Sequence, residues 1–195
     1  NYSIFDVDGT ILDSMEVWNT LASRYIQSLD RIPEKNLDKI VSEMSLEQSA
    51  IYLKKRYRIY KQEEVIISEV LNLISDFYKH EVKLMPGFKD FITHFDSMNV
   101  IGTSCDEELV KSALKRLGVL DYFEDIMTCS KVNKGKDDPG FYLACADILE
   151  QKPDNIFVFE DADYCISAAK KAGFKVIKIK DWRDLNEECI NNCGK

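Results

Sequence analysis

Short apolar runs alternate along most of the chain with segments in which apolar residues recur at helical spacing. The runs have the length and the β-branched or aromatic content of buried strands, and they are Tyr2 to Phe5, Val100 to Thr103, Ile126 to Cys129, Ile156 to Phe159 and Phe174 to Ile179. From residue 86 onward, amphipathic helical patterns separate them. Such alternation is typical of a parallel sheet with helices on both faces. We therefore predict an α/β fold with a doubly wound, Rossmann-like parallel sheet.

Residues typical of helix ends support two of these helices. A helix over 139–150 has Asp138 as a candidate N-cap and Pro139 in its first turn, where the missing N–H costs nothing. A helix over 107–117 is followed by Gly118, at a position where glycine commonly ends a helix. The predicted helices therefore have defined boundaries.

Residues 14–84 interrupt this alternation. Strand patterns disappear there, and the segment predicts about four helices, including a long one from Gln62 to about Glu81. The linker 83–87, which contains proline and glycine, returns the chain to the alternating pattern. We predict a core domain of residues 1–13 and 85–195 with an inserted helical cap of residues 14–84.

Composition and charge narrow the class of protein. The 195 residues are 45% hydrophobic and carry a formal net charge of −8, which disfavours nucleic acid as a partner. The chain has no apolar stretch of about 18 residues that would suggest a membrane span. No basic and apolar leader precedes the first strand, and the six cysteines lack Cys-x-x-Cys spacing. We expect a cytoplasmic monomer or weak dimer with reduced thiols and a small-molecule substrate.

Two aspartates follow the first strand in the segment Phe5–Thr10, which reads FDVDGT. In an extended chain Asp6 and Asp8 point to the same side and Val7 points away. An Asp-Gly pair is also common in ordinary turns, so this segment alone does not define a reactive site.

Polar residues also follow the other predicted strands. They are Thr103 and Ser104 after the second strand, Lys131, Lys134 and Lys136 after the third, and Glu160 and Asp161 after the fourth. The carboxyl ends of parallel strands meet at one edge of the sheet, where binding sites form. We therefore expect these side chains to be neighbours of Asp6 and Asp8.

The four segments resemble, in order, the four motifs of the haloacid dehalogenase superfamily. The first is FDVDGT, the second contains Thr103, the third is Gly135–Tyr142 with Lys136, and the fourth is Phe157–Ala162, which reads FVFEDA. The resemblance extends over essentially the whole chain. It indicates the branch of phosphatases and β-phosphoglucomutase-like enzymes that carry a helical cap.

The resemblance implies a phosphatase acting on a small phosphorylated metabolite. Asp6 would attack phosphorus to form an aspartyl-phosphate, and Asp8 would protonate the leaving oxygen and then activate water. Thr103, Ser104 and Lys136 would bind the phosphoryl group.

The clustered carboxylates would repel a phosphate ester unless a divalent cation and an ammonium group offset their charge. Mg²⁺ fits best because it prefers oxygen ligands. The expected ligands are the carboxylates of Asp6 and Asp161 and the backbone carbonyl of Asp8, with Glu160 outside the inner ligand set. Lys136 would supply the ammonium group.

Several alternatives stay open. A β-phosphoglucomutase-type mutase usually has a cap His where Trp18 stands and an Arg where Leu46 stands, and both departures weaken that interpretation. A phosphonate hydrolase would need a cap lysine such as Lys54 or Lys55.

A non-catalytic or receiver-like phosphate-binding module would combine similar groups. A receiver, however, has its phosphorylated Asp after the third strand and has no insert. Trp18, Met15 and Met44 are candidate cap residues facing the substrate, although packing within the cap would explain them equally well.

Overall fold

A computed structural model describes residues 1–185 and contains a five-stranded parallel sheet. The strands are β1 (Tyr2–Phe5), β2 (Met98–Thr103), β3 (Asp125–Thr128), β4 (Ile156–Glu160) and β5 (Lys175–Lys178). Their order in the sheet is β3-β2-β1-β4-β5, so that β1 is central and its carboxyl end lies between those of β2 and β4. The predicted fold class is confirmed.

Helices connect the strands and form the insert. They are α1 (Met15–Ser28), α2 (Leu37–Val41), α3 (Leu46–Tyr57), α4 (Glu63–Asp76), α5 (Phe88–His94), α6 (Glu107–Arg116), α7 (Cys129–Val132), α8 (Pro139–Leu149) and α9 (Asp163–Lys171). Short 3₁₀ turns lie at Leu120–Tyr122, Pro153–Asn155 and Trp182–Asp184. The Asp138 side chain accepts a hydrogen bond from the Gly140 N–H at 2.7 Å, so the predicted N-cap of α8 is confirmed.

The alternation of side chains along β1 divides the core between the two faces of the sheet. Phe5 packs with Phe159 and Trp182 on one face, which α5 and α6 cover. Ile4 packs with Val158 on the other face, under α8 and α9. All three β1 residues from Ser3 to Phe5 are fully buried, which fixes the strand that carries the first motif.

The helical insert has a hydrophobic cluster of its own, formed by Ala22, Tyr25, Ile26, Leu37, Ala50, Leu53, Ile59 and Ile66. Its entry and exit segments pair with each other: Asp13 N donates to Lys83 O at 2.9 Å, and Met85 N donates to Ile11 O at 2.8 Å. The division into a core of 1–13 and 85–195 and a cap of 14–84 stays a prediction, and residues 186–195 lie outside the described range.

Several predicted boundaries differ from the structure by one or two residues: β2 begins at Met98 instead of Val100, and β5 spans Lys175–Lys178 instead of Phe174 to Ile179. Two further differences have a clear physical cause. The strand predicted over Ile126 to Cys129 ends at Thr128, because the Thr128 side chain accepts a hydrogen bond from Lys131 N and begins α7 at Cys129.

The long helix predicted to about Glu81 changes at Phe77 into a π-helix, Phe77–Glu81. Arg116 Nη2 donates to the carbonyl oxygens of Tyr78 and Val82, at 3.3 and 2.6 Å, and supports that irregular turn. π-Helical turns of this kind occur often at functional sites.

Cys105, Cys129, Cys145 and Cys165 are buried free thiols, as predicted for those four. Within residues 1–185, no helix combines the length and apolar character needed to cross a membrane.

Candidate active site

The backbone holds Asp6 at the centre of the sheet edge. Asp6 N donates to Phe159 O at 3.0 Å, which extends the pairing of β1 with β4 by one residue. The chain then turns at Gly9, whose φ is +91°, a conformation that favours glycine. A Cβ at Gly9 would collide with Asp161 Oδ2 and lie 2.9 Å from Met15 Cγ. Glycine therefore lets Asp161 approach the turn that follows Asp6.

Lys136 joins two buried carboxylates. Its Nζ lies 2.6 Å from Asp6 Oδ1 and also forms an ion pair with Glu160, and the lysine side chain is only 3% exposed. Burial lowers the pKa of Lys136, but the charges of Asp6 and Glu160 outweigh burial and raise the pKa well above its ordinary value. The Tyr142 hydroxyl donates to Glu160 Oε1 at 2.9 Å and helps to hold that carboxylate. Lys136 is therefore a fixed positive charge beside Asp6.

The other two lysines expected near this edge are engaged elsewhere. Lys134 Nζ pairs with Asp138 Oδ2 at 2.8 Å and is 43% exposed, and Lys131 Nζ pairs with Glu107 Oε2 at 2.9 Å. Lys136 is thus the member of the predicted trio that the structure brings to Asp6.

Three carboxylates form a candidate cation site. One oxygen each of Asp6, Glu160 and Asp161 lies within 4.8 Å of the others. Asp6 Oδ2 is buried and has no hydrogen-bond partner. Burial, with a smaller contribution from the charge of Asp6, raises the pKa of both Asp161 and Glu160 above the ordinary value of a carboxyl group. An unpartnered buried oxygen among crowded carboxylates is the donor set that a hard divalent cation fits.

Asp8 lies in a hydrogen-bonded chain that leads into the insert. Asp8 Oδ1 accepts from Ser14 Oγ at 2.5 Å and from the Tyr78 hydroxyl, which in turn accepts from Trp18 Nε1. Burial raises the pKa of Asp8 to about 6, although the hydrogen bonds from Ser14 and Tyr78 lower it in part. Asp8 therefore holds a proton more readily than an exposed aspartate and is oriented by groups of the insert.

Ser14 and Tyr78 were not among the sequence candidates. Tyr78 follows Asp8 by 70 positions and lies in the long helix predicted from Gln62 to about Glu81, so no local pattern connects the two residues. Ser14 stands just before α1, where a serine predicts an N-cap, yet its hydroxyl bonds to Asp8 and makes no cap hydrogen bond.

The two residues predicted from the second motif, Thr103 and Ser104, have different surroundings. Thr103 ends β2 and is 1% exposed, and its Oγ1 accepts from Cys105 N at 3.0 Å. Ser104 lines the cavity above Asp6, whereas Thr103 is not part of the cavity wall. The role of both residues in binding phosphate stays a prediction.

A cavity of about 300 Å³ extends from Asp6 and Lys136 into the helical insert. The three cap candidates Met15, Trp18 and Met44 all lie on its wall. The structure thus brings the core motifs and the cap candidates to one cavity, as needed for a small ligand.

The sequence model of the haloacid dehalogenase-like hydrolases matches residues 3–179. This chain therefore belongs to that family, and the predicted superfamily and enzyme class, a haloacid dehalogenase-like hydrolase, are confirmed. The match spans the insert as well as the sheet, which excludes a receiver module.

Individual relatives are phosphoryl-transfer enzymes. The chain is 29% identical over 186 residues to β-phosphoglucomutase of Bacillus subtilis, covering 90% of this chain and 81% of that protein. It is 27% identical over 190 residues to a phosphorylated carbohydrates phosphatase of Thermotoga maritima, covering 89% and 82%. The crystal structure of β-phosphoglucomutase from Clostridium difficile superposes with a TM-score of 0.81 at 18% identity, over 98% of this chain and 96% of that one. The last similarity establishes the shared fold alone.

Proposed function

We propose that this chain is a Mg²⁺-dependent phosphatase that hydrolyses a small phosphate monoester through an aspartyl-phosphate on Asp6. The observation that carries the proposal is the environment of the Asp6 carboxylate. One oxygen lies 2.6 Å from Lys136 Nζ, and the other is buried without a partner beside Glu160 and Asp161. Such a carboxylate is fixed, partly neutralised and able to act as a nucleophile.

The carboxylates of Asp6 and Asp161 and the backbone carbonyl of Asp8 would hold the metal ion. The Glu160 carboxylate is already engaged by Lys136 and Tyr142. It would therefore contact the residues around the ion and not the ion itself. When bound, the ion would offset the charge of the transferring phosphoryl oxygens.

The residues of the chain account for the two chemical steps. Asp6 attacks phosphorus, and the bond from phosphorus to the alcohol oxygen breaks as Asp8 donates its proton to that oxygen. Asp8 then takes a proton from water, which attacks the aspartyl-phosphate and releases inorganic phosphate and free Asp6. Lys136 balances the charge of Asp6 and the phosphoryl oxygens, while Thr103 and Ser104 would position the group. Positioning and charge supply most of the catalysis in such reactions.

The charges on the cavity wall favour hydrolysis over the mutase alternative. A mutase must retain a bisphosphate and return the phosphoryl group from Asp6 to a second hydroxyl, which requires a cation for the second phosphate. Among residues 1–185, Lys136 is the only cationic side chain on the wall, and it is already paired with Asp6 and Glu160. Trp18 and Leu46 occupy wall positions that offer no positive charge.

The phosphonate hydrolase alternative lacks its lysine. Lys54 Nζ pairs with Glu63 at 2.8 Å, and neither Lys54 nor Lys55 lines the cavity. The expectations of a small phosphorylated metabolite as substrate and of a cytoplasmic monomer or weak dimer that binds no nucleic acid remain predictions.

Metal removal tests the proposed function. We expect hydrolysis of acetyl phosphate to fall by about 10²-fold or more in excess chelator, because the carboxylates then repel the phosphoryl group without compensation. Added Mg²⁺ should restore turnover, and Ca²⁺ should restore less because it prefers a larger coordination sphere. Phosphate release measured with and without each ion decides the matter. Undiminished turnover in chelator would contradict the metal assignment.

A pair of lysine variants tests the charge beside Asp6. Lys136→Met should reduce kcat by about 10²- to 10³-fold, the usual loss when one charge-stabilising group is removed. Lys134→Met is the matched control, because it changes the same side chain two positions away in an exposed pair. Thermal unfolding followed by circular dichroism separates lost catalysis from lost folding. Equal activity of the two variants would show that Lys136 has no special role.

A further inference from the structure

The cavity leads away from the reacting groups into the interior of the insert. The part of its wall formed by the insert, called here the far wall, includes Leu53 on α3 and Ile66, Ile67 and Val70 on α4. Ile67 and Val70 are partly exposed on this wall, and Leu53 and Ile66 behind them belong to the hydrophobic cluster of the insert. A leaving group attached to a phosphoryl group on Asp6 would therefore extend into apolar surroundings.

The charged side chain on the insert side of the described wall is the carboxylate of Asp38. The other carboxylates on the wall are the reacting groups Asp6, Asp8, Glu160 and Asp161, whose charge Lys136 and the metal ion would offset. Asp38, on the side of the insert, accepts hydrogen bonds from the N–H and hydroxyl of Ser23, which hold its carboxylate in place. A second phosphate or a carboxylate on the substrate would meet the charge of Asp38 with no free cation on the described part of the wall.

Neutral polar groups on the insert side are few. Among residues 1–185, the uncharged hydrogen-bonding side chains there are Asn19, Ser42, Ser49 and Trp18, and the Nε1 of Trp18 already donates to Tyr78. A leaving group with a hydroxyl on every carbon would leave most of those hydroxyls facing apolar side chains such as Ile67 and Val70, and unpaired buried hydroxyls are costly.

From these three observations we infer that the alcohol released by this enzyme is neutral and largely apolar, and that phosphate esters with a second anionic group are rejected. The inference rests on the proposed phosphatase function and adds the substrate class to it. The cavity of about 300 Å³ lies at the lower limit of small-ligand sites, so the alcohol is compact.

A series of alkyl phosphates tests the substrate class. With Mg²⁺ present, kcat/KM should rise roughly three- to fourfold per buried methylene from ethyl to butyl to hexyl phosphate, and then level off as the cavity fills. Hexanediol bisphosphate should react on the order of 10²-fold less efficiently than hexyl phosphate, because its second phosphate is desolvated without a counter-charge. The kcat/KM for glucose 6-phosphate should also be lower than that for hexyl phosphate.

Two variants connect these preferences to the cavity. Ala50→Leu adds volume on the wall and should lower the ratio of kcat/KM for hexyl phosphate to kcat/KM for ethyl phosphate by about tenfold. The control is Ile51→Leu, at the exposed next position of α3, which should leave that ratio unchanged. Met44→Lys adds a cation to a half-exposed loop position on the wall and should raise the ratio for the bisphosphate over hexyl phosphate by about tenfold. The second variant keeps the test valid if Ala50→Leu does not fold.

Acetyl phosphate tests the phosphatase function separately from the substrate class, because its leaving group is too small to reach the far wall. If acetyl phosphate is hydrolysed but the bisphosphate or the sugar phosphate is preferred to hexyl phosphate, the substrate class is wrong and the phosphatase function stands. If acetyl phosphate is not hydrolysed in Mg²⁺, the phosphatase function is wrong and the substrate class falls with it.

Discussion

Replacing Asp6 by Asn is expected to reduce phosphate ester hydrolysis by about 10⁴- to 10⁶-fold, the order of loss when a covalent nucleophile is removed. The amide has nearly the volume of the carboxylate but cannot form the aspartyl-phosphate. The fold should persist, because Asp6 is held to β4 by its backbone N–H, which donates to Phe159 O, and Lys136 retains its pair with Glu160. The loss should therefore lie in chemistry and not in stability.

Acid quenching followed by mass spectrometry measures this effect. During turnover of acetyl phosphate, the wild-type protein should carry a phosphoryl group on the peptide that contains Asp6, and the Asn variant should carry none. Asp13→Asn is the matched control, because Asp13 is exposed and bonds to Lys83 only through its backbone N–H. A phosphorylated Asp6→Asn protein, or one with near-normal turnover, would refute Asp6 as the nucleophile.

The sheet could be predicted because its determinants are local. The two-residue period of an extended strand places Ile4 and Phe5 on opposite faces of the sheet. The apolar runs of β2 and β4 end in the polar residues Thr103 and Glu160, which mark the ends of these strands. The end of β3 was misplaced by one residue because the side chain of Thr128 caps a short helix, and that contact competes with strand pairing. Local sequence patterns thus predict the presence of a strand or helix better than the residues at which it begins and ends.

The core of the site was also predictable, since parallel strands bring their carboxyl ends to one edge. That rule brings Asp6, Lys136 and Glu160 together from three separate segments of the chain. The contacts around Asp8 were not predictable in this way. The hydrogen bond from Tyr78 depends on how the insert packs and on a π-helical turn held by Arg116, and neither has a recognisable sequence pattern.

The same distinction applies to the cap. Met15, Trp18 and Met44 could be proposed as cavity residues because Trp18 follows the predicted nucleophile Asp6 by about one helical turn beyond the linker into the insert, and all three lie on the cavity wall. That the cavity continues to Leu53 and Ile66, however, depends on the mutual packing of α1, α3 and α4, which helical periodicity does not specify. The proposed substrate class therefore rests on the structure, whereas the reaction class could be proposed from the sequence.

Replacing Asp8 by Asn is expected to separate the two halves of the reaction. Its backbone carbonyl is retained, so metal binding should change little, but no proton reaches a poor alkoxide leaving group. Turnover of alkyl phosphates should fall by about 10²- to 10⁴-fold, the usual contribution of general acid–base catalysis. Acetyl phosphate, whose leaving group needs no proton, should still phosphorylate Asp6 in this variant. The aspartyl-phosphate should then accumulate, because no base activates the water that removes it.

Rapid quenching and mass spectrometry at successive times test this expectation, with metal affinity measured by calorimetry on the same protein. The surroundings of Asp8 support its role in proton transfer. Burial raises the pKa of Asp8 to about 6, so the carboxyl group can hold a proton for the first step. Ser14 and Tyr78 fix the orientation of the carboxyl group for the second step. Asp13→Asn should show wild-type kinetics with either substrate. Equal losses of Asp8→Asn on acetyl and alkyl phosphates, with no accumulated intermediate, would mean that Asp8 shapes the site without transferring the proton.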